Sequence, residues 1–273
     1  MERVRGCQMM QLQLKVEIPH EIEYLPNLEN LVLGFNNLVG VVPSAIFNIS
    51  TMKEIYLLIN SLSRRTNSFS GIIQNTIGNN LRNLEWLDLT YNYLTVELSF
   101  LFDKLQKLSF LGLTTSPLDG ILPTSIGNLS MSLENIYISN YSIGISIPQV
   151  INNLSNLLLL DLEGNKLIRS IPVTFCWLQK FQGLYLPLNK LAGSIPDQPC
   201  HLARLNTFGL AGNKFSGSIL SCLGNLTSLR SLDLRSNRLT SILPSTFWNL
   251  KDILFFGLLS NSLDGLLSLD MGN

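Results

Sequence analysis

The apolar residues of "SLRSLDLRSNRLTSILPSTF" (228–247) fit neither a helix nor a strand for long. Leucines stand at 229, 232, 234 and 239, interrupted by Asp233, Arg235 and Asn237, and Leu243–Pro244 closes the run. A helix needs apolar positions about every 3.6 residues, whereas a half-buried strand needs strict alternation. Only "LDL" (232–234) alternates. The pattern resolves when the chain is laid against itself at an offset of 24 residues, the test for internal repeats. Asn165, Asn189, Asn213, Asn237 and Asn261 are spaced by 24, each inside the frame LxxLxLxxNxLxGxIP. "FQGLYLPLNKLAGSIP" (181–196), "LLLLDLEGNKLIRSIP" (157–172) and "LENLVLGFNNLVGVVP" (28–43) are close copies. Eleven registers follow, at 12, 36, 60, 92, 116, 141, 165, 189, 213, 237 and 261. Eight hold Asn (Asn36, Asn60, Asn92, Asn165, Asn189, Asn213, Asn237 and Asn261), while Leu12, Ser116 and Tyr141 replace it in weaker copies.

Each position has a physical role. In "LDL" the two leucines point inward and Asp233 outward, because strand side chains alternate. Every repeat therefore predicts one short parallel strand. The Asn that follows both donates and accepts, so stacked copies predict a ladder that satisfies core-facing backbone groups. Gly four residues later, as at Gly40, Gly193 and Gly217, allows unusual backbone angles. The Pro after it, as at Pro43, Pro172, Pro196 and Pro244, fixes an extended segment. The remaining half, with its "GNLxxL", predicts a short helix or 3₁₀ turn. One such unit cannot bury its apolar side alone, so burial must come from the turns above and below, which is the logic of a solenoid.

The period and the LxGxIP half resemble the plant-type leucine-rich repeat, found in the ectodomains of plant receptor-like kinases and receptor-like proteins. The resemblance covers nearly the whole chain. It implies an α/β solenoid, a right-handed superhelix with a concave parallel β-sheet and short helical or 3₁₀ convex segments. The domain organisation expected is a single solenoid over 1–273. The chain starts and stops inside repeats, without the paired-cysteine N-terminal cap of the family or an apolar leader. Both ends are therefore expected to be truncated and uncapped, as in a piece of a longer protein or a truncated gene copy.

The interval from Asn60 to Asn92 is 32 residues, eight more than the period. One extra residue falls at "GNNLRNL"; the other seven are read as a duplication of "NSLS" in "NSFS", giving an inserted loop at 64–70.

Composition changes the picture little. The 273 residues carry zero net charge, 14% charged residues and a mean hydropathy of +0.26. The repeat frame accounts for the apolar excess, and no run approaches the roughly 18 residues of a membrane span. Charge balance excludes the basic face that nucleic acid requires. No nucleophile elbow, phosphate loop or kinase catalytic loop occurs, and His20 and His201 lie seven to eight repeats apart. No catalytic residue, metal site or cofactor is expected. The resemblance places a kinase outside this chain.

Cysteine leaves an alternative open. Cys176 and Cys200 share one phase in adjacent turns, so they either bond or remain free thiols; Cys7 and Cys222 complete the four. Five N-x-S/T sequons, Asn48, Asn128, Asn140, Asn153 and Asn225, are candidate glycan sites, although "NLS/T" also arises from the repeat itself. Asn140 differs from the rest in lying on the strand side.

Outward strand positions fall six, four, two and one residues before each register. They hold Tyr56, Trp86, Asp88, Tyr91, Phe110, Tyr137, Asn140, Asp161, Glu163 and Tyr185, then the smaller Gly209 and Ala211, with Phe255 later. Exposed aromatics beside carboxylates suit a peptide or protein partner; the plainer reading is that large residues tile the sheet and the carboxylates are solvated. The function expected is non-enzymatic recognition of a peptide or protein, with a co-receptor as a further partner implied by the resemblance. The resemblance also places the chain on the extracellular side of the plasma membrane, with membrane attachment only through segments outside it. A stand-alone binding or inhibitor protein of the cell wall and a nonfunctional truncated copy are the alternatives.

Overall fold

A computed structural model describes residues 6–8, 17–36, 38–58, 69–73, 77–96, 105–114 and 120–264. The chain divides into two compact units, Met1–Ser142 and Ile143–Asn273.

In the first unit the strands Gly6–Gln8, Asn30–Val32, Glu54–Tyr56, Trp86–Asp88, Phe110–Thr114 and Asn135–Ser139 pair in parallel, in chain order. The register puts Leu31, Ile55, Leu87, Leu111 and Ile136 side by side, all fully buried. Their outward neighbours form two rows. Asn30, Glu54, Trp86, Phe110 and Asn135 make one; Val32, Tyr56, Asp88, Gly112 and Tyr137 make the other. Three 3₁₀ helices, His20–Tyr24, Ser44–Asn48 and Thr124–Asn128, begin after Pro19, Pro43 and Pro123. The proline presets an extended backbone before the turn.

The second unit repeats the plan at strict spacing. Leu159–Asp161, Gly183–Tyr185, Thr207–Gly209, Ser231–Asp233 and Phe255–Gly257 pair in parallel, 24 residues apart. Leu160, Leu184, Phe208 and Leu232 are fully buried between them. A second ladder joins Ala192–Gly193, Lys214–Ser218 and Arg238–Thr240. Five 3₁₀ helices cover the opposite side: Gln149–Asn153, Val173–Trp177, Gln198–His201, Ser221–Asn225 and Ser245–Asn249. The sheet-and-3₁₀ leucine-rich repeat architecture is the one the repeat frame predicts.

The asparagine ladder ties each turn to the one before it. Asn189 Oδ1 accepts the Leu167 N–H at 3.0 Å while its Nδ2 donates to the Leu162 carbonyl at 2.9 Å. Asn213, Asn237 and Asn261 repeat both bonds, and Asn165 accepts from the Ile143 N–H. Asn92 accepts from Phe69 and donates to Leu57, and Asn36 donates to Leu33 and Gly34 within its own turn. Asn60, like Leu12 and Ser116, lies outside the described residues. Tyr141 is buried at its register.

The Phe69–Asn92 bond moves the expected insertion. Elsewhere the N–H that the ladder Asn receives sits two residues beyond the previous ladder position, as Leu167 follows Asn165. Phe69 fills that place and is fully buried, so the end of the 64–70 segment is core. Ser70–Ile73 continues as a strand paired with Tyr93–Val96. Ten residues, 59–68, stand between Leu58 and Phe69 where three stand between Glu163 and Leu167, so the seven-residue excess precedes Phe69. Residues 64–68 lie outside the described set.

Candidate functional site

The outward face of the first unit carries a strip of stacked rings. Trp86 and Phe110, paired on adjacent strands, lie with centroids 3.9 Å apart and planes within 2°; Phe110 and Tyr137 follow at 5.4 Å and 32°. Parallel strands about 4.8 Å apart place side chains of one row at stacking distance. Rings stacked face to face present edges to a visitor, so the strip is an apolar ridge and the Trp86–Phe110 faces are already used. Trp86 Nε1 is buried and has no hydrogen-bond partner among the described residues. Gly112 makes the packing possible. A Cβ there would stand 2.8 Å from Asp88 Oδ1 and 3.0 Å from Phe110 Cε1.

Asp88 corrects the sequence reading. It was expected as a solvated carboxylate, yet it is buried, 4% exposed, with its Oδ1 accepting from the Thr90 N–H at 3.0 Å and the Thr90 hydroxyl at 2.7 Å. Burial raises its carboxyl above the ordinary range, and the two Thr90 bonds oppose that rise. The phenol of Tyr56, which faces Asp88 across the strand pair, is raised by burial and then by the Asp88 charge. Asp161 and Asp233 make the same short turn, accepting from the N–H of Glu163 at 2.9 Å and of Arg235 at 3.2 Å. The recurrent Asp is thus a turn former as well as a surface residue. Its short carboxylate captures the backbone N–H two residues on as the strand ends.

Tyr91 stands one residue before the ladder, 56% exposed and at φ +55°. That phase is left-handed wherever it falls among the described residues: Phe35, Tyr91, Asn140, Leu188, Ser236 and Ser260 share it with Gly164 and Gly212. The turn dictates the backbone whatever the side chain, at a cost for non-glycine residues.

In the second unit Asp161 and Tyr185 pair directly, and Glu163 lies two residues beyond Asp161. The Glu163 carboxyl is raised by partial burial and then by the neighbouring Asp161 charge. Tyr185 is half-buried, with Gly183 and Gly209 as its small neighbours. The sequence reading names Asp233 and Phe255 as outward residues but not Arg235, which joins them. Arg235 grips Asp233 through Nε–Oδ1 at 2.8 Å and Nη2–Oδ2 at 2.7 Å, and its guanidinium lies 5.1 Å from the Phe255 ring centre. The phase rule that selected Tyr185 also selects residues 233 and 235, so the signal was present. The structure places Tyr56, Trp86, Asp88, Tyr91, Phe110 and Tyr137 on one strand face of the first unit. Asp161, Glu163 and Tyr185 share one in the second.

The sequons occupy two settings. Asn48, Asn128, Asn153 and Asn225 each end a 3₁₀ helix and are exposed; Asn140 is exposed just past the strand Asn135–Ser139. The cysteines pair differently from the Cys176–Cys200 alternative: Cys200 bonds Cys222, with Cα atoms 5.7 Å apart, and Cys176 is free. Residues of one phase send their Cβ vectors out in parallel, so their sulfurs do not converge; a partner offset by two residues in the next turn lets them meet. Among the described residues no cluster of three or more His, Cys, Asp or Glu could hold a metal, and no helix is long and apolar enough to cross a membrane.

A leucine-rich repeat family model matches residues 83–105 and 228–250. Receptor-like protein 39 of Arabidopsis thaliana is 33% identical over 160 residues, covering 57% of this chain and 17% of that protein. The TDR receptor structure superposes with a TM-score of 0.86 at 28% identity, over 96% of this chain and 44% of the other. The Arabidopsis receptor kinase HAESA, solved with the peptide hormone IDA and the co-receptor SERK1, gives 0.82 at 26% identity, over 96% and 46%. The chain therefore spans about a sixth of the length of the curated relatives it matches and under half of these two solved chains. With the 24-residue frame, the parallel strands and the 3₁₀ backs, these likenesses converge: the chain is a leucine-rich repeat solenoid similar to plant receptor-like proteins and receptor kinases.

Proposed function

We propose that this chain is part of the extracellular recognition segment of a plant receptor-like protein or receptor-like kinase. It binds a peptide or protein ligand on the outward face of its parallel strands, with a co-receptor as a further partner. The observation that carries the reading is the Trp86–Phe110–Tyr137 ridge. Large, rigid aromatic side chains lose little freedom on binding and dominate recognition energetics. A related receptor kinase of the same repeat architecture is complexed with a peptide hormone and a co-receptor. The chain recognises and does not catalyse; a kinase, where the longer protein has one, lies outside it. Asn48, Asn128, Asn153 and Asn225 carry glycans at the ends of the 3₁₀ helices, clear of the strand face.

Photo-crosslinking tests the reading. p-Benzoylphenylalanine in place of Phe110, in the chain produced in plant tissue, should capture a peptide or protein, and the same group in place of Trp177 on a 3₁₀ helix should not. Combined Tyr56→Ala and Tyr137→Ala replacement should remove the adduct. Equal yields at 110 and 177, or no adduct at 110, would defeat the proposal.

A further inference from the structure

We propose that Asn140 is an N-glycosylation site whose glycan stands at the edge of the strand face in the first unit and controls access to Tyr137 and Tyr91. The inference rests on the extracellular reading above and adds a regulator to that same face. Asn140-Tyr141-Ser142 is a sequon, and Asn140 is exposed. Its φ of +56° is a conformation asparagine tolerates better than most residues. Tyr141, 2% exposed, anchors the turn from inside, so the amide leaves the surface at a fixed point. Among the described residues the Asn140 side chain has no hydrogen-bond partner, whereas Asn48 Oδ1 already accepts from Asn80 Nδ2 at 2.8 Å.

Distance makes the site consequential. Tyr137 lies three residues back along the strand, about 10 Å at roughly 3.3 Å per residue. Tyr91 shares the left-handed phase two turns earlier, about 10 Å across at roughly 4.8 Å per strand. The first sugars of a glycan on Asn140 reach both. The other four sequons end 3₁₀ helices, where a glycan leaves the strand face open. One sequon of five therefore touches recognition. The donor is a lipid-linked oligosaccharide. Asn140 Nδ2 bonds its anomeric carbon, the sugar–diphosphate bond breaks, and the lipid diphosphate leaves with the amide proton.

The test uses the full chain secreted from plant cells behind a cleavable leader. Enzymatic glycan release in ¹⁸O-water, read by mass spectrometry, should mark Asn140 together with Asn48. Hydroxyl-radical footprinting should then show Tyr137 and Tyr91 oxidised severalfold faster after glycan trimming, with Phe255, 42% exposed on a strand of the second unit, unchanged. Asn140→Gly and Ser142→Gly should reproduce the increase. Both positions have positive φ, +56° and +60°, so glycine relieves strain and the variants fold. Asn140 unmodified while Asn48, Asn128, Asn153 and Asn225 are occupied would overturn the proposal, as would equal Tyr137 labelling with and without the glycan. Because the leader supplies secretion, these failures differ from failure of the extracellular reading, which would show as protein from its native tissue carrying no glycan at any of the five.

Discussion

Replacing Asn213 by alanine measures what the ladder is worth. Asn213 is 8% exposed, and its Oδ1 accepts the Leu191 N–H at 3.0 Å while its Nδ2 donates to the carbonyls of Leu186 at 2.8 Å and Leu210 at 3.0 Å. Alanine leaves the Leu191 N–H buried without this partner, while the Leu186 carbonyl keeps the Asn189 Nδ2 donor at 3.2 Å. An orphaned buried group costs about 1–3 kcal/mol, so Asn213→Ala should cost on the order of 1–3 kcal/mol. Loss of the exposed Lys190 side chain should stay within about 0.5 kcal/mol. Repeat arrays need not unfold in one step, so the readout is local: hydrogen exchange at the Leu191 amide, with urea unfolding alongside. Asn213→Asp sharpens the test. It keeps the acceptor for Leu191 but turns a second oxygen toward the Leu186 and Leu210 carbonyls, which disfavours the ionised form and raises the folded-state pKa above the ordinary value of about 3.9. The folded state then holds the proton more tightly than the unfolded one. Stability should approach that of the native protein in acid and fall as pH rises through the raised pKa. A cost below about 1 kcal/mol for Asn213→Ala, beneath the range expected for one orphaned group, or a flat pH profile for Asn213→Asp, would refute the account of the ladder.

Four further outcomes follow from the same geometry. Arg169 sits at φ +73° in the phase that Gly193 and Gly217 hold elsewhere; Arg169→Gly should raise the urea midpoint by about 0.5–1 kcal/mol of stability, and a fall would count against strain at that turn. Gln198 occupies the phase of Cys222, one turn after Cys176, and its Oε1 is buried without a partner among the described residues. Gln198→Cys should therefore bond Cys176, protect it from alkylation and add about 2–4 kcal/mol; a freely alkylated Cys176 beside an intact Cys200–Cys222 bridge would disprove the pairing rule. A Cβ at Gly224 would stand 2.4 Å from the Thr246 backbone, whereas one at Gly209 meets nothing closer than 3.8 Å. Gly224→Ala should cost about 1–3 kcal/mol by overpacking and Gly209→Ala little, and equal melting temperatures would contradict this. Asp88 has a raised folded-state pKa, so its contribution is present in acid and lost as pH rises through that pKa. Asp88→Asn keeps an oxygen for Thr90 without a charge, and its stability relative to the native protein should increase from pH 4 to pH 7; no change across that window would mean the carboxyl is not destabilised by burial.

The strands were legible because they depend on one short-range rule. Leucines flanking an outward residue, repeated every 24 residues, predict buried columns, and Leu31, Ile55, Leu87, Leu111 and Ile136 form one even across the 32-residue interval. The excess residues were harder to place, because "NSLS" and "NSFS" compete for the same turn and only the Phe69–Asn92 bond chooses between them. Period also says nothing of what lies over a residue. Asp88 has the outward phase of a solvated carboxylate, but Gly112 beside it lets the carboxylate lie flat, and the Thr90 hydroxyl completes its shell. At Asp233 the next strand offers Gly257, yet Arg235 takes up the carboxylate and Phe255 receives the guanidinium.

The difference between those two sites shows where the information resides. Both begin with an Asp that captures the N–H two residues on, and both face a glycine on the next strand. What separates them is the residue two places after the Asp: a threonine short enough to share the carboxylate and stay buried, or an arginine long enough to lead it outward. The solenoid supplies identical backbone stations, and the chemistry of the face is decided by side-chain reach between neighbouring stations. A repeat frame read one turn at a time locates those stations; pairing it with the following turn, residue by residue, is what reveals a buried acid at 88 and a fixed cation at 235.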